Sequence, residues 1–260
     1  MIAERSAAIA AAFGGAGQYD RHARVQRFAA EALADRIAGL GLDRPRLLEF
    51  GCGTGFLTEA MARRDVGGEW LATDLAPAMV ERCRQRMAAS DHITYAVLDA
   101  ARHEPDMAGS LDLVTASLAA QWLGDLEGAV ARMLRWVRPG GHVLFNTLAS
   151  GTFREWRDAL AAAGAEAGTP PYPSADNIAA IRPASQASPA HTDMLVDRHA
   201  DARSFLVSLK AIGAHVPAEG HRPIGAASMR AAMRHFEQAG STASYEVVTL
   251  HFRRPMETAR

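Results

Sequence analysis

A glycine-rich loop with an acidic residue beside it is the first stretch of this chain whose residue types could bind a small organic ligand. Residues 47–55 read LLEFGCGTG, with Glu49 two positions before the first of three glycines at alternate positions. Glycine is required where a turn is tight and the backbone must lie against a ligand. An apolar run, a glycine turn and a following helix are typical of the first β-turn-α unit of a doubly wound sheet.

The spacing of the glycines distinguishes this loop from other ligand-binding loops. A dinucleotide site has Gly-x-Gly-x-x-Gly, and a phosphate loop ends in Gly-Lys-Ser/Thr. Here the pattern is Gly-x-Gly-x-Gly, and no lysine or arginine stands inside it to meet a phosphate. Glu49 favours a cationic ligand group, such as an amine. A glycine run alone is often only a turn, so the residues that follow must decide.

Two further acidic residues follow the next two predicted strands. Residues 70–74 form the second strand and end in Asp74, 23 positions after Gly51, a distance that suits a carboxylate binding both hydroxyls of a ribose. Residues 93–98 form the third strand, and Asp99 after it can accept a hydrogen bond from an exocyclic amine such as adenine N6. Any one of these acids is better explained as a helix N-cap or a solvated loop end. Three of them around one glycine loop favour a ligand site.

This constellation, over about residues 46–150, resembles the class I S-adenosylmethionine-dependent methyltransferases. The resemblance implies that the loop from Glu49 to Gly55 holds the methionine part of the cofactor, Asp74 the ribose and Asp99 the adenine. It also implies S-adenosyl-L-methionine as cofactor and S-adenosyl-L-homocysteine as product. The candidate cofactor-binding residues are Tyr19, Gln26, Glu49, Gly51, Cys52, Gly53, Asp74, Leu75, Asp99, Ala100 and Ser117.

Composition limits the other classes of function. The chain has 260 residues, 48% of them apolar, and a formal net charge of −1, so no overall field attracts nucleic acid or a membrane surface. Two cysteines without a spacing pattern fit a reducing compartment, and ten scattered histidines predict no metal site. We find no export signal and no membrane span in the sequence. We therefore expect a cytoplasmic monomer.

The elements that must position these residues alternate between helices and strands. Such alternation with short loops predicts a doubly wound, mostly parallel sheet. We predict helices at 4–13, 21–38, 56–64, 76–88, 126–137, 152–163, 202–212 and 228–238, and, after the apolar run from Leu47, strands at 70–74, 93–98, 111–117, 142–148, 192–198 and 244–252.

Between these elements, residues 138–141 predict a turn. The proline-rich residues 164–191 predict an irregular crossing with a short helix at 175–181, or alternatively a disordered linker.

The fold class implied is the class I methyltransferase (Rossmann-like) α/β fold with an antiparallel last strand and a helical cap inserted between the last two strands. We expect a single domain, residues 1–260, with an N-terminal helical lid at 1–40, a cofactor-binding core at 46–150 and the cap at 199–240. Tyr19 follows a glycine-rich break at residues 14–17, where an aromatic ring could fold over a ligand. Ordinary packing at a helix start explains Tyr19 equally well.

Four stretches outside the cofactor site resemble one family, the malonyl-acyl-carrier-protein O-methyltransferases of biotin synthesis. They are AIAAAFGGAGQYDRHARVQ at 8–26, SLAAQWL at 117–123, VRPGGHVLFNTL at 137–148 and SLKAIGAH at 208–215. The third is common to many methyltransferases, and the other three are more specific. The sequence departs from the family at Gly15, where the family has a basic residue, and residues 165–200 match only loosely.

The family resemblance implies methylation of the free carboxylate of a malonyl group carried by acyl carrier protein. A carboxylate is already ionised at pH 7, so it needs no general base, and we predict no catalytic side chain. The candidate substrate-binding residues are Gln121, Trp122, Lys210 and Arg222. Trp122 has a core residue as its alternative, and Lys210, the only lysine, has an exposed lysine at a helix end.

Two other readings remain open at this point. Another class I methyltransferase, acting on a small carboxylic acid such as trans-aconitate or on a quinone precursor, would share the cofactor half. A cofactor-binding scaffold without activity is the non-enzymatic alternative. The basic residues after Arg198, among them Arg230 and Arg234 four apart on one predicted helix face, would suit an acidic carrier protein, although basic runs are usually solvated surface.

Overall fold

The protein folds as an α/β sheet structure in which helices cover both faces. The computed structural model describes residues 2–183, 185–214, 216 and 220–256. The strands are β1 Arg46–Phe50, β2 Glu69–Asp74, β3 Ile93–Val97, β4 Leu111–Ser117, β5 Val137–Leu148, β6 Gln186–Ala187, β7 His191–Arg198 and β8 Thr242–Arg253. The helices are α1 Ile2–Gly14, α2 Tyr19–His22, α3 Arg24–Ala38, α4 Phe56–Ala62, α5 Pro77–Arg86, α6 Leu126–Trp136, α7 Arg154–Ala162, α8 Ala175–Ala179, α9 Ala202–Ala211 and α10 Ala226–Gln238.

The strand order confirms the predicted fold class. Within the described residues the order is β3-β2-β1-β4-β5-β8-β6, and β7 also pairs with β8. Strands β1 to β5 pair in parallel, whereas β8 is antiparallel to β5, β6 and β7. Because the chain crosses over on both sides of β1, the carboxyl ends of β1, β2, β3 and β4 meet at one edge. That edge is where ligands bind in open α/β sheets.

Alternation along β1 explains how one short strand serves both layers of the core. Leu47 belongs to the apolar cluster that α3, α4, α7, α9 and α10 also join. Leu48 and Phe50 belong to the cluster on the other face, which includes residues of α6 and α8. Successive side chains of a strand point to opposite faces, so a run of apolar residues is buried on both sides.

Aromatic contacts fix the two helices between β7 and β8. The Phe205 ring of α9 stacks on the Phe236 ring of α10 with centroids 5.0 Å apart, and it contacts the Trp156 ring of α7 at 5.6 Å. Trp156 also meets Phe236 edge-on at 5.6 Å. These helices therefore pack against α7 and one face of the sheet. In the described part of the segment 199–240 that we predicted as a cap, only Ile212 and Ala214 reach the cavities at the sheet edge described below.

Several predicted boundaries are wrong. The helix predicted at 21–38 is interrupted at Ala23, so that α2 and α3 are separate. Residues 138–141 belong to β5, because Gly140 N donates to Arg254 O and Arg254 N donates to Gly141 O, which continues the pairing beyond β8. Gly140 has φ +79°, a conformation that glycine adopts without strain.

The crossing at 164–191 carries the short strand β6, which its proline content concealed. No described helix is long and apolar enough to cross a bilayer.

Candidate functional site

The glycine loop after β1 has the backbone conformation that its sequence predicts. Gly51, Gly53 and Gly55 have φ of +63°, +54° and +91°, values that other residues adopt only with strain. A Cβ at Gly51 would lie 2.4 Å from the Ala119 Cβ, so the loop also packs directly against the chain after β4. A Cβ at Gly53 would meet nothing within 4 Å, which leaves this part of the loop open on one side.

The carboxylate of Asp74 braces this loop from the end of β2. Asp74 Oδ2 accepts a hydrogen bond from Gly53 N at 2.9 Å, and Asp74 Oδ1 accepts one from Ala76 N at 2.8 Å. Burial raises the pKa of Asp74, and the surrounding backbone N–H groups oppose that increase. The bond to Ala76 is the local contact expected if Asp74 only capped the start of α5. The bond to Gly53, in contrast, joins the end of β2 to the glycine loop. Each oxygen keeps a lone pair for a further donor.

Asp99 lies at the same edge, after β3. Its Oδ1 accepts a hydrogen bond from Ala101 N at 3.0 Å, which leaves Oδ2 without a partner among the described residues. Asp74 and Asp99 both line a cavity of about 110 Å³, which we call the main cavity. Eight of the predicted cofactor residues lie among its walls, together with residues of α1 and the turn after β4. These eight are Tyr19, Gly51, Gly53, Asp74, Leu75, Asp99, Ala100 and Ser117.

Glu49 lies in a second, smaller cavity on the other side of the glycine loop. This loop cavity, of about 30 Å³, is lined by Glu49 with Tyr19, Gln26, Cys52 and Ser117 among others. Glu49 Oε2 accepts a hydrogen bond from Thr58 Oγ1 at 2.7 Å, and the Thr58 hydroxyl lies 3.4 Å from Cys83 Sγ. Burial raises the pKa of Glu49 well above its ordinary value, and Cys83 and Asp74 raise it further. A cationic group bound here would favour the ionised carboxylate.

Ser117, at the end of β4, has an unusual position for a polar side chain. Its hydroxyl is buried and has no hydrogen-bond partner among the described residues. The residue lines both the main cavity and the loop cavity. A buried hydroxyl without a partner is uncommon in proteins and is often completed by a ligand or water. Ser117 is therefore placed to meet a ligand that spans the two cavities.

The N-terminal segment, residues 2–23, closes over the cavities. Ser6, Ile9 and Phe13 of α1 line the main cavity, and the Phe13 ring meets the Trp122 ring edge-on at 5.6 Å. Arg82 of α5 holds the glycine break by donating to Ala16 O at 2.8 Å. The predicted hinge is thus fastened to the core in this conformation.

Tyr19 lines the main cavity, the loop cavity and a third cavity described below. It also borders a larger cavity of about 720 Å³ beside Asp20 and Thr54. Its ring is tilted against the Phe56 ring with centroids 6.0 Å apart. Burial raises the pKa of Tyr19, and Asp74 and Asp20 raise it further. Both readings of Tyr19 have a basis in this geometry, because the ring packs against the first residue of α4 and also borders the ligand space.

The third cavity, of about 30 Å³, is lined by Tyr19 but not by Asp74. We call it the tyrosine cavity, since three tyrosines border it. Its polar walls are Tyr19, Gln26, Gln121, Tyr172 and Tyr245, and Trp122 is among its apolar walls. Gln121 Nε2 donates to Leu118 O at 2.6 Å, and Gln121 Oε1 accepts from Thr147 Oγ1 at 3.5 Å. Gln121 therefore satisfies its amide within the turn after β4, and Trp122 packs under α1.

Two predicted substrate residues lie away from these cavities. Lys210 is exposed in the last turn of α9, because Phe205, Ser208 and Leu209 supply the buried face of that helix. Arg222 borders a separate cavity of about 420 Å³ beside Glu166 and His221. Neither side chain lines the cavities at the sheet edge, so the prediction that they bind the acceptor is not supported by their positions. His215, in a stretch that resembles the family, lies outside the described residues.

Residues that the sequence did not single out complete the site. Asn146 is buried on β5, where its Oδ1 accepts from Leu118 N at 2.7 Å and its Nδ2 donates to Ala29 O at 3.1 Å. It thereby holds Leu118 at φ +49° beside the ligand edge. An amide inside the apolar strand VLFNTL was the available signal. Tyr172 gave no such signal, because it stands in a proline-rich crossing. Tyr245 belongs to the segment SYEV at 244–247, which resembles the closing strand of the family without marking the tyrosine itself.

Comparison with known proteins identifies the family. Residues 48–145 match the model of the methyltransferase domain. The biotin biosynthesis bifunctional protein BioCD of Bordetella avium is 42% identical over 242 residues, 92% of this chain, which spans half of that protein's length. The malonyl-acyl-carrier-protein O-methyltransferase of Magnetococcus marinus is 36% identical over 94% of this chain and 91% of its own.

Solved structures agree on the fold. A putative methyltransferase from Bacillus halodurans superposes with a TM-score of 0.61 at 13% identity, covering 87% of this chain and 99% of its own. At that identity the similarity shows the fold alone. The relative from Magnetococcus marinus, by contrast, matches 94% of this chain and so extends beyond the methyltransferase domain on both sides. The chain belongs to the family of malonyl-acyl-carrier-protein O-methyltransferases.

Proposed function

We propose that this protein transfers a methyl group from S-adenosyl-L-methionine to the free carboxylate of a malonyl group on acyl carrier protein, as a step of biotin synthesis. The observation that carries the proposal is the 36% identity with a malonyl-acyl-carrier-protein O-methyltransferase over 94% of this chain. That similarity extends well beyond the methyltransferase domain at 48–145, and so includes the part of the chain that must recognise the acceptor.

The residues at the sheet edge fit the cofactor. Asp74 and Asp99 offer carboxylate oxygens for ribose and adenine in the main cavity, and Glu49 offers one for the amine in the loop cavity. The unpaired Ser117 hydroxyl borders both cavities. Leu75, Ala100 and Cys52 supply apolar walls, and the open side of Gly53 lets the backbone approach. We assign these contacts to the cofactor, and the substitutions described in the Discussion test the assignment.

Methyl transfer to a carboxylate requires no general acid or general base from the protein. When bound, S-adenosyl-L-methionine supplies the electrophilic methyl of its sulfonium, which the acceptor oxygen takes up as an ester while S-adenosyl-L-homocysteine is left. The acceptor is an ionised carboxylate at neutral pH, so no proton has to move. The side chains need only hold that oxygen close to the methyl and exclude water. Tyr19, Phe13 and Trp122, which line both the main cavity and the tyrosine cavity, are placed to exclude water from the reacting groups.

The domain organisation follows from this assignment. Residues 1–40 act as the lid, residues 46–150 bind the cofactor, and the segment 199–240 supplies Ile212 and Ala214 to the acceptor side. The tyrosine cavity receives the acceptor. We propose that the enzyme works as a monomer in the cytoplasm, which agrees with the two free thiols of Cys52 and Cys83. The main-cavity residues serve the cofactor, so they do not distinguish acceptors.

Mass spectrometry of malonyl-carrier protein incubated with the enzyme and S-adenosyl-L-methionine tests this function. We expect a gain of one methyl group on the malonyl group. Acetyl-carrier protein, which lacks the free carboxylate, should gain none. Methylation of trans-aconitate or of a quinone precursor with no methylation of malonyl-carrier protein would replace the proposed acceptor. Cofactor binding without turnover on any of these acceptors would support a non-enzymatic scaffold.

A further inference from the structure

The tyrosine cavity contains hydrogen-bond donors but no cation. Among the described residues, its walls include no lysine, arginine or histidine. Its polar walls are three tyrosines and two glutamines, and Gln121 already uses its amide for Leu118 O and Thr147 Oγ1. An acceptor carboxylate that enters this cavity must therefore find its partners among neutral groups.

The hydroxyls of Tyr172 and Tyr245, unlike the Gln121 amide, are not used in hydrogen bonds within the described part of the chain. Tyr245 is only 3% exposed, and its ring is fixed edge-on against Phe153 with centroids 4.8 Å apart. Neither hydroxyl is among the buried atoms that lack a partner, so both reach open space, and both residues line the tyrosine cavity. Each hydroxyl is therefore free to donate to a polar group that enters there. A carboxylate can accept hydrogen bonds from both.

Different parts of the chain deliver these two side chains. Tyr245 stands on β8, opposite Leu195 of β7. Tyr172 stands in the proline-rich crossing, which is fastened at this point by Ser150 N donating to Pro173 O at 2.9 Å. Burial raises the pKa of Tyr245, and Asp197, Tyr172 and Tyr19 raise it further, so the three tyrosines are near one another. The crossing between α7 and β7 therefore also places a side chain, Tyr172, at the tyrosine cavity.

Both tyrosines remain protonated donors at neutral pH. Burial raises the pKa of Tyr172 to about 12, with Arg157 opposing the increase. Arg157 lies near Tyr172 and Arg24 near Tyr245. The Arg157 guanidinium donates to the carbonyl oxygens of Ser150 and Thr152. Arg24 pairs with Asp197, and neither arginine lines the cavity. Both charges thus have other partners, and the cavity is left with neutral hydroxyls.

We propose that the hydroxyls of Tyr172 and Tyr245 donate hydrogen bonds to the acceptor carboxylate, making the tyrosine cavity a carboxylate subsite of neutral donors. The assignment rests on the proposed function, because it supposes an acceptor with a free carboxylate. A neutral O–H donor forms a short, strong hydrogen bond to a carboxylate without adding a full positive charge beside it. The oxygen that is not engaged keeps its negative charge, as a nucleophile must. In this proposal the two hydroxyls, and not Lys210, hold the acceptor carboxylate in position.

Binding to protein loaded with S-adenosyl-L-homocysteine tests the subsite without turnover. Calorimetry would compare malonyl-coenzyme A with acetyl-coenzyme A, which lacks the carboxylate, for the wild type and for Tyr172→Phe and Tyr245→Phe. We expect each variant to lose at least about tenfold in affinity for the malonyl thioester and to bind the acetyl thioester as before, as removal of a hydrogen bond to a charged group requires. S-Adenosyl-L-homocysteine affinity should be unchanged.

Tyr95→Phe is the matched control. The Tyr95 hydroxyl likewise has no partner among the described residues, but it is buried, and the residue lies on β3 and lines none of the three cavities. It should bind both thioesters like the wild type.

Equal losses for both thioesters in Tyr172→Phe and Tyr245→Phe, or no loss in either, would overturn the subsite alone, provided that the wild type prefers the malonyl thioester and methylates malonyl-carrier protein. A wild type that neither prefers the malonyl thioester nor methylates it would overturn the proposed function together with the subsite.

Discussion

The hydroxyl of Thr54, in the glycine loop, donates a hydrogen bond to Asp20 Oδ1 at 2.6 Å, which joins the loop to the second helix of the chain. Arg86 of α5 pairs with the other oxygen of the same carboxylate. The N-terminal segment is therefore fastened to the loop by a side chain whose position depends on the loop's conformation. This connection offers a physical route by which occupation of the cofactor site and closure of the segment depend on each other.

Removal of the Thr54 hydroxyl should weaken cofactor binding. We expect Thr54→Val to lower the affinity for S-adenosyl-L-homocysteine roughly tenfold, the order of one hydrogen bond to a charged group. Calorimetry measures the change. Thr94→Val is the matched control, because Thr94 Oγ1 donates to Trp70 O at 3.0 Å far along β3 and lines none of the three cavities. Equal affinities in the wild type and Thr54→Val would show that the fastening does not contribute to binding.

Tyr19 should matter more for the ligand than for the free protein. Tyr19→Ala is expected to lower the affinity for S-adenosyl-L-homocysteine about tenfold, while the Tm of the free protein falls by no more than about 4 °C, because the side chain is only partly buried. Tyr95→Ala, a partly buried tyrosine away from the site, should leave the affinity unaltered. A large loss of Tm without ligand would show that Tyr19 is chiefly a packing residue.

The charge of Asp74 should be needed for cofactor binding. Asp74→Asn retains the size of the side chain and one oxygen for the backbone N–H groups, but it removes the charged acceptor for ribose hydroxyls. We expect an affinity loss of roughly 10- to 150-fold by calorimetry. Asp112→Asn is the control, because Asp112 also accepts from a backbone N–H, that of Arg46, at the opposite end of the sheet. A folded Asp74→Asn with undiminished affinity would remove Asp74 from the site.

Cofactor binding should depend on pH through Glu49. Burial raises the pKa of Glu49 well above its ordinary value, which widens the pH range over which the free protein carries a neutral Glu49. The ammonium of S-adenosyl-L-homocysteine favours the ionised form, so binding releases a proton and affinity rises as pH increases through that pKa. Calorimetry in two buffers of different ionisation enthalpy measures the proton release. Glu49→Gln should abolish it, and an unchanged release in this variant would assign the proton to another group.

Arg230 and Arg234 should affect the carrier protein but not the chemistry. Both are exposed on α10, four residues apart, while Ala232 and Phe236 form the buried face. Reversal of both to Glu should raise KM for malonyl-carrier protein several-fold and leave turnover of malonyl-coenzyme A nearly constant, since a local basic patch steers an acidic partner. The same reversal at the exposed Arg36 and Arg84 is the charge-matched control. Equal effects on both substrates would place the docking surface elsewhere.

The sequence by itself determined the fold class and the cofactor edge. The order of strands and helices follows from local patterns of apolar residues, and Glu49, Asp74 and Asp99 are linked to that order because each lies at the carboxyl end of a parallel strand. Glycine spacing likewise reports a local backbone requirement, which the positive φ values at Gly51, Gly53 and Gly55 bear out. Features that depend on neighbours along the chain could be read without a structure.

Only the tertiary structure supplied the residues of the proposed acceptor site. Tyr172 and Tyr245 are 73 positions apart and meet at one cavity because β8 enters between β5 and β7 and the crossing is fastened at Pro173. Lys210 stood out because it is the only lysine, yet the burial of Phe205 and Leu209 turns it outward. The Asp20–Thr54 contact joins residues 34 positions apart. Such pairings depend on packing between distant elements, and no local pattern in the sequence records them.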